Sequence, residues 1–226
     1  MTIRAILFDF DGVIVNSEPI HLEKLQLLLS EEGILLTKED YYKNYLGYDD
    51  RDCLHNVFKD QGKSLSEEKK QSLIHRKEEM VLEAFRRGEI LVPGVKEFIE
   101  KVSNDYYLAI VSGAVRSEIL AILETCKLKP YFRLVVGADD VSHGKPAPEG
   151  YQKAIRLLNR DFVPTSEVLL PGECLVIEDS PWGLRAGHET GCVCVGITNT
   201  YEADRLEPAH FVVRDYKEIL KCIEIN

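Results

Sequence analysis

The stretch Phe8-Asp9-Phe10-Asp11-Gly12-Val13 places two carboxylates one residue apart directly after an apolar run, with a glycine to turn the chain. Two acids so spaced could bind a hard divalent cation, or divide nucleophilic and acid-base work between them. Alone, an Asp-x-Asp equally describes a surface turn capped by aspartates. Three later places carry chemistry of a matching kind. Ile110-Val111-Ser112-Gly113-Ala114 ends an apolar run with a hydroxyl and small residues ahead of a helix from about Val115, so that hydroxyl and backbone N–H groups could cradle an anion. Gly144-Lys145-Pro146-Ala147-Pro148 holds a lysine in a rigid loop, where it could neutralise phosphate charge, although a lone lysine is ordinarily solvated. Leu175-Val176-Ile177-Glu178-Asp179-Ser180 drives an apolar run into two adjacent acids, which is costly in a desolvated place unless a cation or hydrogen bonds compensate. The bland alternative there is helix capping by Asp179 or Ser180. Acid pair, hydroxyl, lysine and acid pair, each at the carboxyl end of a different strand, together describe a phosphate and magnesium site.

The elements that must position these groups follow from the apolar pattern. Ile3 to Phe8, Tyr107 to Val111, Leu134 to Val136, Leu175 to Ile177 and Val193 to Ile197 read as strands, and from Gly94 onward they alternate with amphipathic stretches. That rhythm predicts an α/β fold with a Rossmann-like parallel sheet covered by helices. It is broken between residues 18 and 88, where Leu22, Leu25, Leu28 and Leu29 form an apolar helix face and Glu39 to Leu46, Asp52 to Phe58 and Glu67 to Phe85 suggest further helices. The economical division is a core of 1–16 and 90–226 with a helical insertion at 17–89, Val92-Pro93-Gly94 marking the return. Phe162 to Gly172 reads as a long connection carrying two prolines, and Trp182 is expected to pack behind the last acidic loop.

At the four chemical sites the sequence resembles the haloacid dehalogenase superfamily, whose motifs are Asp-x-Asp-x-Val/Thr, a Ser or Thr after the second strand, a Lys and terminal acids. The insertion resembles the helical cap of the group that includes beta-phosphoglucomutase, phosphoglycolate phosphatase and sugar-phosphate phosphatases, and Asn16-Ser17-Glu18-Pro19 with His21 is similar to that group. The resemblance implies Asp9 as a nucleophile forming a phosphoaspartate and Asp11 as general acid, then general base. It implies Mg2+ held by Asp9, the backbone carbonyl of Asp11 and Asp179, with Glu178 in or near the first shell. Ser112 and Lys145 would bind the phosphoryl oxygens, with Gly113 and Ala114 supplying backbone donors or space. In the cap, His21, Arg51, Arg76 and Lys77 are the candidate readers of the substrate, closure being hinged near Val15 to Ser17 and Glu89 to Pro93. The remaining histidines, His55, His75, His143, His188 and His210, default to structural or surface roles.

The implied activity is a phosphatase of a small phosphorylated metabolite, a sugar phosphate being the best class. A beta-phosphoglucomutase-type isomerase is the alternative, kept open by His21 and Arg51, although the resembling mutases carry Thr where Asn16 stands here. Asp11 argues against halide chemistry, because the dehalogenases proper lack that second acid. Composition agrees with a globular enzyme: 226 residues, 45% hydrophobic and 29% charged, with a formal charge of −10 that disfavours nonspecific binding to nucleic acid or anionic membranes. The N-terminal run reads as a strand, no segment approaches the roughly 18 apolar residues of a membrane span, and the six cysteines read as reduced thiols, Cys192 and Cys194 as core packing. A monomer in the cytoplasm is the expectation.

Overall fold

The computed structural model describes residues 2–45, 48 and 50–224. The chain divides into two compact units, Met1–Asn16 with Leu91–Asn226, and Ser17–Ile90. The second unit thus runs one residue beyond the insertion expected at 17–89.

The first unit is built on a sheet of β1 (Ala5–Phe8), β2 (Tyr107–Val111), β3 (Leu134–Val136), β4 (Cys174–Glu178), β5 (Val193–Ile197) and β6 (Phe211–Val213), ordered β3-β2-β1-β4-β5-β6. Every pairing is parallel, and this is the Rossmann order. The strands are continuous apolar runs because both faces are covered; all four residues of β1 are buried. Alternate residues of the sheet, such as Leu7, Val111 and Val176, pack with Tyr151 and Leu184 from α7 (Glu149–Asp161) and α8 (Pro181–Thr190). On the other face Phe8 meets Phe98 of α5 (Val95–Val102) edge to face, and Phe98 meets Tyr216 of α9 (Tyr216–Glu224). A further helix, α6 (Arg116–Thr125), follows β2.

β6 was not expected from the sequence. It is the short apolar run Phe211-Val212-Val213, of which only Val213 is buried. Cys192 and Cys194 are buried in the core beside Cys174, and all three are free thiols.

The second unit holds α1 (Glu18–Glu31), α2 (Lys38–Asn44), α3 (Asp50–Asp60) and α4 (Glu67–Arg86). Their shared core includes Leu22, Leu25, Leu28, Leu29, Leu54, Val57, Phe58 and Leu73, spaced as helical faces require. α2 starts on Thr37, whose hydroxyl accepts from the Asp40 N–H, and α4 starts on Ser66, which accepts from Lys69. The expected end of the α2 helix at Leu46 lies outside the described residues.

Candidate active site

Register brings the chemistry together. Phe8 of β1 is paired with Ile110 of β2 and with Ile177 of β4, so the next residues, Asp9, Val111 and Glu178, end three adjacent central strands at one level. Lys145 reaches all three: its ammonium is ion-paired with Asp9 Oδ1, donates to the Val111 carbonyl at 2.9 Å, and meets Glu178 Oε1 at 2.5 Å. The lysine that seemed a solvated loop residue when taken alone is therefore the hub of the site. Burial opposes its charge, but Asp9 and Glu178 outweigh that cost and hold its pKa above the usual lysine range.

Asp9 is 8% exposed, Glu178 fully buried and Asp179 5% exposed, and their carboxylate oxygens lie within 4.8 Å of one another. Burial is the first cause that pushes the Asp9 carboxyl up to about 8, with Lys145 opposing and Glu178 reinforcing. Asp179 is raised to about 6, chiefly by burial, against a hydrogen bond from the Thr200 hydroxyl. Three buried acids facing one ammonium leave negative charge unbalanced, and hard oxygen donors so crowded are the donor set that a magnesium-sized cation needs. The acids thus fit the implied cation.

The four carboxylates named from the sequence are not equivalent. Glu178 Oε1 takes Lys145 and the Tyr151 hydroxyl at 3.0 Å, while Oε2 accepts from the backbone N–H groups of Asp179 and Ser180 and from the Ser180 hydroxyl. Its lone pairs are largely engaged by the protein, so its local task is to hold Lys145. The Asp11 side chain is exposed and outside the buried acid group, although desolvation in its surroundings raises its pKa against the pull of Lys145.

Two glycines make this crowding possible. Gly12 has φ +77°, and a Cβ there would stand 1.8 Å from Asp179 Oδ2. A Cβ at Gly183 would stand 1.6 Å from Glu178 Oε1. Ser180 caps α8 by accepting from the Gly183 N–H at 3.1 Å, which aims the acid loop along the helix start.

Ser112 is 7% exposed, and its Oγ accepts from the Ala114 N–H at 3.0 Å. A cleft of about 310 Å³ opens beside it, lined by Ser112, Gly113, Lys145 and Tyr151 among others. Ser180 caps α8 as the sequence offered, whereas Tyr151, Gly183, Asn199 and Thr200 support the site but were not picked out from the sequence. Tyr151 lies in an ordinary amphipathic helix, and Asn199 and Thr200 lie in a loop whose reach across the sheet ends no local pattern announces.

The residues expected to read substrate in the second unit separate clearly. Lys77 is 4% exposed and ion-paired with Asp50, and its charge, after burial, holds the pKa of His21 below the usual histidine range. His21 also meets the Phe85 ring edge to face. Arg76 is exposed and engaged with Glu31 through two hydrogen bonds of 2.9 Å, a surface pair rather than a member of that cluster. Arg51 is exposed at the start of α3. Among the other histidines, His143 meets Glu149 at 3.3 Å, His75 meets Glu79 at 3.5 Å, and the exposed rings of His188 and His210 stack. Trp182 corrects the expectation of a residue packed behind the acidic loop: it is 50% exposed and stacked on Tyr201, because its neighbours Pro181, Gly183 and Leu184 take the buried side of α8.

Comparison with known proteins agrees with this arrangement. The chain is 26% identical over 224 residues to validoxylamine A 7'-phosphate phosphatase of Streptomyces hygroscopicus subsp. limoneus, covering 96% of this chain and 95% of that protein. It is 29% identical over 189 residues to a phosphorylated carbohydrates phosphatase of Thermotoga maritima, covering 83% and 82%. A crystal structure from Thermotoga maritima with a provisional beta-phosphoglucomutase assignment superposes with a TM-score of 0.72 at 28% identity, covering 99% of each chain. The model of the haloacid dehalogenase-like hydrolases matches residues 6–197, and the chain belongs to that family.

Proposed function

We propose that this chain is a magnesium-dependent phosphatase of a small phosphorylated metabolite, a sugar phosphate, acting through a phosphoaspartate on Asp9. The observation that carries the reading is the grip of Lys145 on Asp9 and Glu178 at the ends of aligned strands, beside Asp179. The names of the phosphatase relatives, one for validoxylamine A 7'-phosphate and one for phosphorylated carbohydrates, favour the substrate class.

In the first step an Asp9 carboxylate oxygen attacks phosphorus and the ester P–O bond breaks, while Asp11 delivers a proton to the leaving oxygen. A raised pKa suits Asp11 to that task, since it must still hold a proton when the ester arrives. In the second step Asp11 takes a proton from water, the water oxygen bonds to phosphorus, and the P–O bond to Asp9 breaks to release inorganic phosphate. Lys145 and the Ser112 hydroxyl, with the N–H groups of Gly113 and Ala114, would bind the phosphoryl oxygens. Asp9, the Asp11 backbone carbonyl and Asp179 would hold magnesium, whose charge offsets the repulsion between carboxylate and phosphate. Glu178 keeps Lys145 in place. From the inserted unit, this reading retains His21 and the exposed Arg51 as candidate readers of the substrate; Lys77 and Arg76 are already paired, with Asp50 and Glu31.

A second reading, transfer of the phosphoryl group to another hydroxyl of the same sugar, is favoured by the beta-phosphoglucomutase assignment of the Thermotoga maritima structure. Phosphate release from a panel of sugar phosphates with magnesium, run beside a coupled assay for glucose 6-phosphate, separates the two. Release of phosphate supports hydrolysis. Glucose 6-phosphate from beta-glucose 1-phosphate with little free phosphate supports the isomerase and overturns the first reading.

A further inference from the structure

Trp182 is the single tryptophan of the chain and half of its surface faces solvent, an unusual place for an indole that no other part of the site explains. It is held flat. Its ring stacks on Tyr201 at 6.3 Å between centroids with 24° between planes, and the Arg205 guanidinium lies 5.8 Å from the Tyr201 centroid.

Both rings are tied to the acid site by their neighbours in the chain. Trp182 is three residues past Asp179, on the first turn of the helix that Ser180 caps. Tyr201 directly follows Thr200, whose hydroxyl is bonded to the Asp179 carboxylate, and Asn199 donates to the Gly12 carbonyl at 2.7 Å. One loop therefore contacts the Asp-x-Asp turn, the last acid and the indole. The result is a half-exposed aromatic plane on the first turn of the helix that follows the last acid pair.

We propose that Trp182, oriented by Tyr201, is a specificity-determining platform that stacks against the apolar face of the substrate's sugar ring. This rests on the phosphatase reading above and names what its substrate must offer. The π face of an indole is negative, and the C–H bonds on one face of a pyranose or furanose carry the complementary partial positive charge. The phosphate is handled by Lys145 and Ser112, so the remainder of the ester meets an uncharged surface and gains from being flat, neutral and C–H rich. A charged leaving group such as a second phosphate would gain nothing from it.

The experiment uses the full chain with magnesium, a panel of hexose and pentose phosphates, and acetyl phosphate, an acyl phosphate, as a phosphoryl donor without a ring. Trp182→Ala should lower the discrimination in kcat/KM between the best sugar phosphate and acetyl phosphate about tenfold, mostly through KM, and Trp182→Phe should restore most of it. An equal loss on both substrates would reduce Trp182 to a structural residue and overturn the platform. As the only tryptophan, its fluorescence reports directly on occupation: in Asp9→Asn protein, a sugar phosphate should shift or quench the emission and inorganic phosphate should not. Emission indifferent to every sugar phosphate overturns the proposal, and a response to adenosine monophosphate alone replaces the sugar with a nucleobase. Failure of the phosphatase reading looks different, as the unaltered chain would then hydrolyse neither acetyl phosphate nor any sugar phosphate, whatever the fluorescence does.

Discussion

Lys77 in the helical unit and Lys145 in the sheet unit are both ion-paired with carboxylates, and the two pairings differ in their balance of charge. Lys77 in the helical unit is 4% exposed and answers one acid, Asp50, so a positive and a negative charge close on each other. Lys145 in the sheet unit answers Asp9 and Glu178 while Asp179 stands alongside, so its surroundings keep an excess of negative charge. Burial makes such an imbalance expensive, and a structure retains it where a cation or a developing charge is to be met. The same residue type thus sits in a balanced pair in one unit and in an acid-rich cluster, the proposed reaction centre, in the other, and the deciding quantity is the local sum of charge.

The comparison can be broken at several points. The largest effect is expected from Asp9→Asn, which removes the proposed nucleophile with little change of shape: turnover of any phosphate ester should fall by at least about 10⁴-fold, with the circular dichroism spectrum retained. An active Asp9→Asn protein would sink the mechanism. Lys145→Met comes next, since it strips the buried acids of their partner. We expect about a 10³-fold loss of kcat/KM and a stability loss of about 3 kcal/mol, read from urea denaturation of the same preparation. Lys77→Met should cost less, about 2 kcal/mol, because Asp50 keeps 31% of its side chain in solvent and can rehydrate; a loss as large as that of Lys145→Met would erase the distinction.

A pH series sharpens the comparison without mutation. The folded Asp9 pKa, pushed up to about 8, and that of Asp179, about 6, both stand above the ordinary aspartate value of 3.8. Between those values the native state binds more protons than the unfolded one, so stability in chelator should fall as pH rises from about 4 to about 8. Magnesium binds the ionised acids, so it should raise Tm more at pH 8 than at pH 5, by a gap of about 4 °C, on the order of 1–2 kcal/mol. A magnesium effect equal at both pH values would detach the cation from this acid cluster. The smallest effect belongs to Arg76→Ala, which breaks only an exposed pair with Glu31 and should leave Tm within experimental scatter.

How far the site was legible depended on whether its signal was local. Asp9, Ser112, Lys145, Glu178 and Asp179 stood out because each follows an apolar strand or sits in a Gly and Pro loop, and strand carboxyl ends are where an open parallel sheet gathers its ligands. Gly183 could have been found as the small residue demanded behind an acid pair. Tyr151 and Thr200 could not, as nothing in an amphipathic helix or a post-strand loop states which buried carboxylate it will meet. β6 was overlooked although Phe211-Val212-Val213 is an apolar run as long as that of β3; only Val213 of it is buried. Trp182 misled because a lone tryptophan is read as core by default, whereas its exposure depends on which side of α8 its neighbours occupy.

The sequence by itself determined the elements, the alternation that calls for a parallel sheet, the helical insertion and the set of reactive residue types, because periodicity and side-chain chemistry are properties of a linear string. Tertiary structure alone decided that Asp9, Val111 and Glu178 end at one level under one ammonium, that Glu178 is engaged by Lys145 and Tyr151, and that the indole stacks on Tyr201 with half its surface in solvent. Those outcomes depend on strand register and on packing between segments more than a hundred residues apart, and the free energies that choose them belong to contacts that no local window contains.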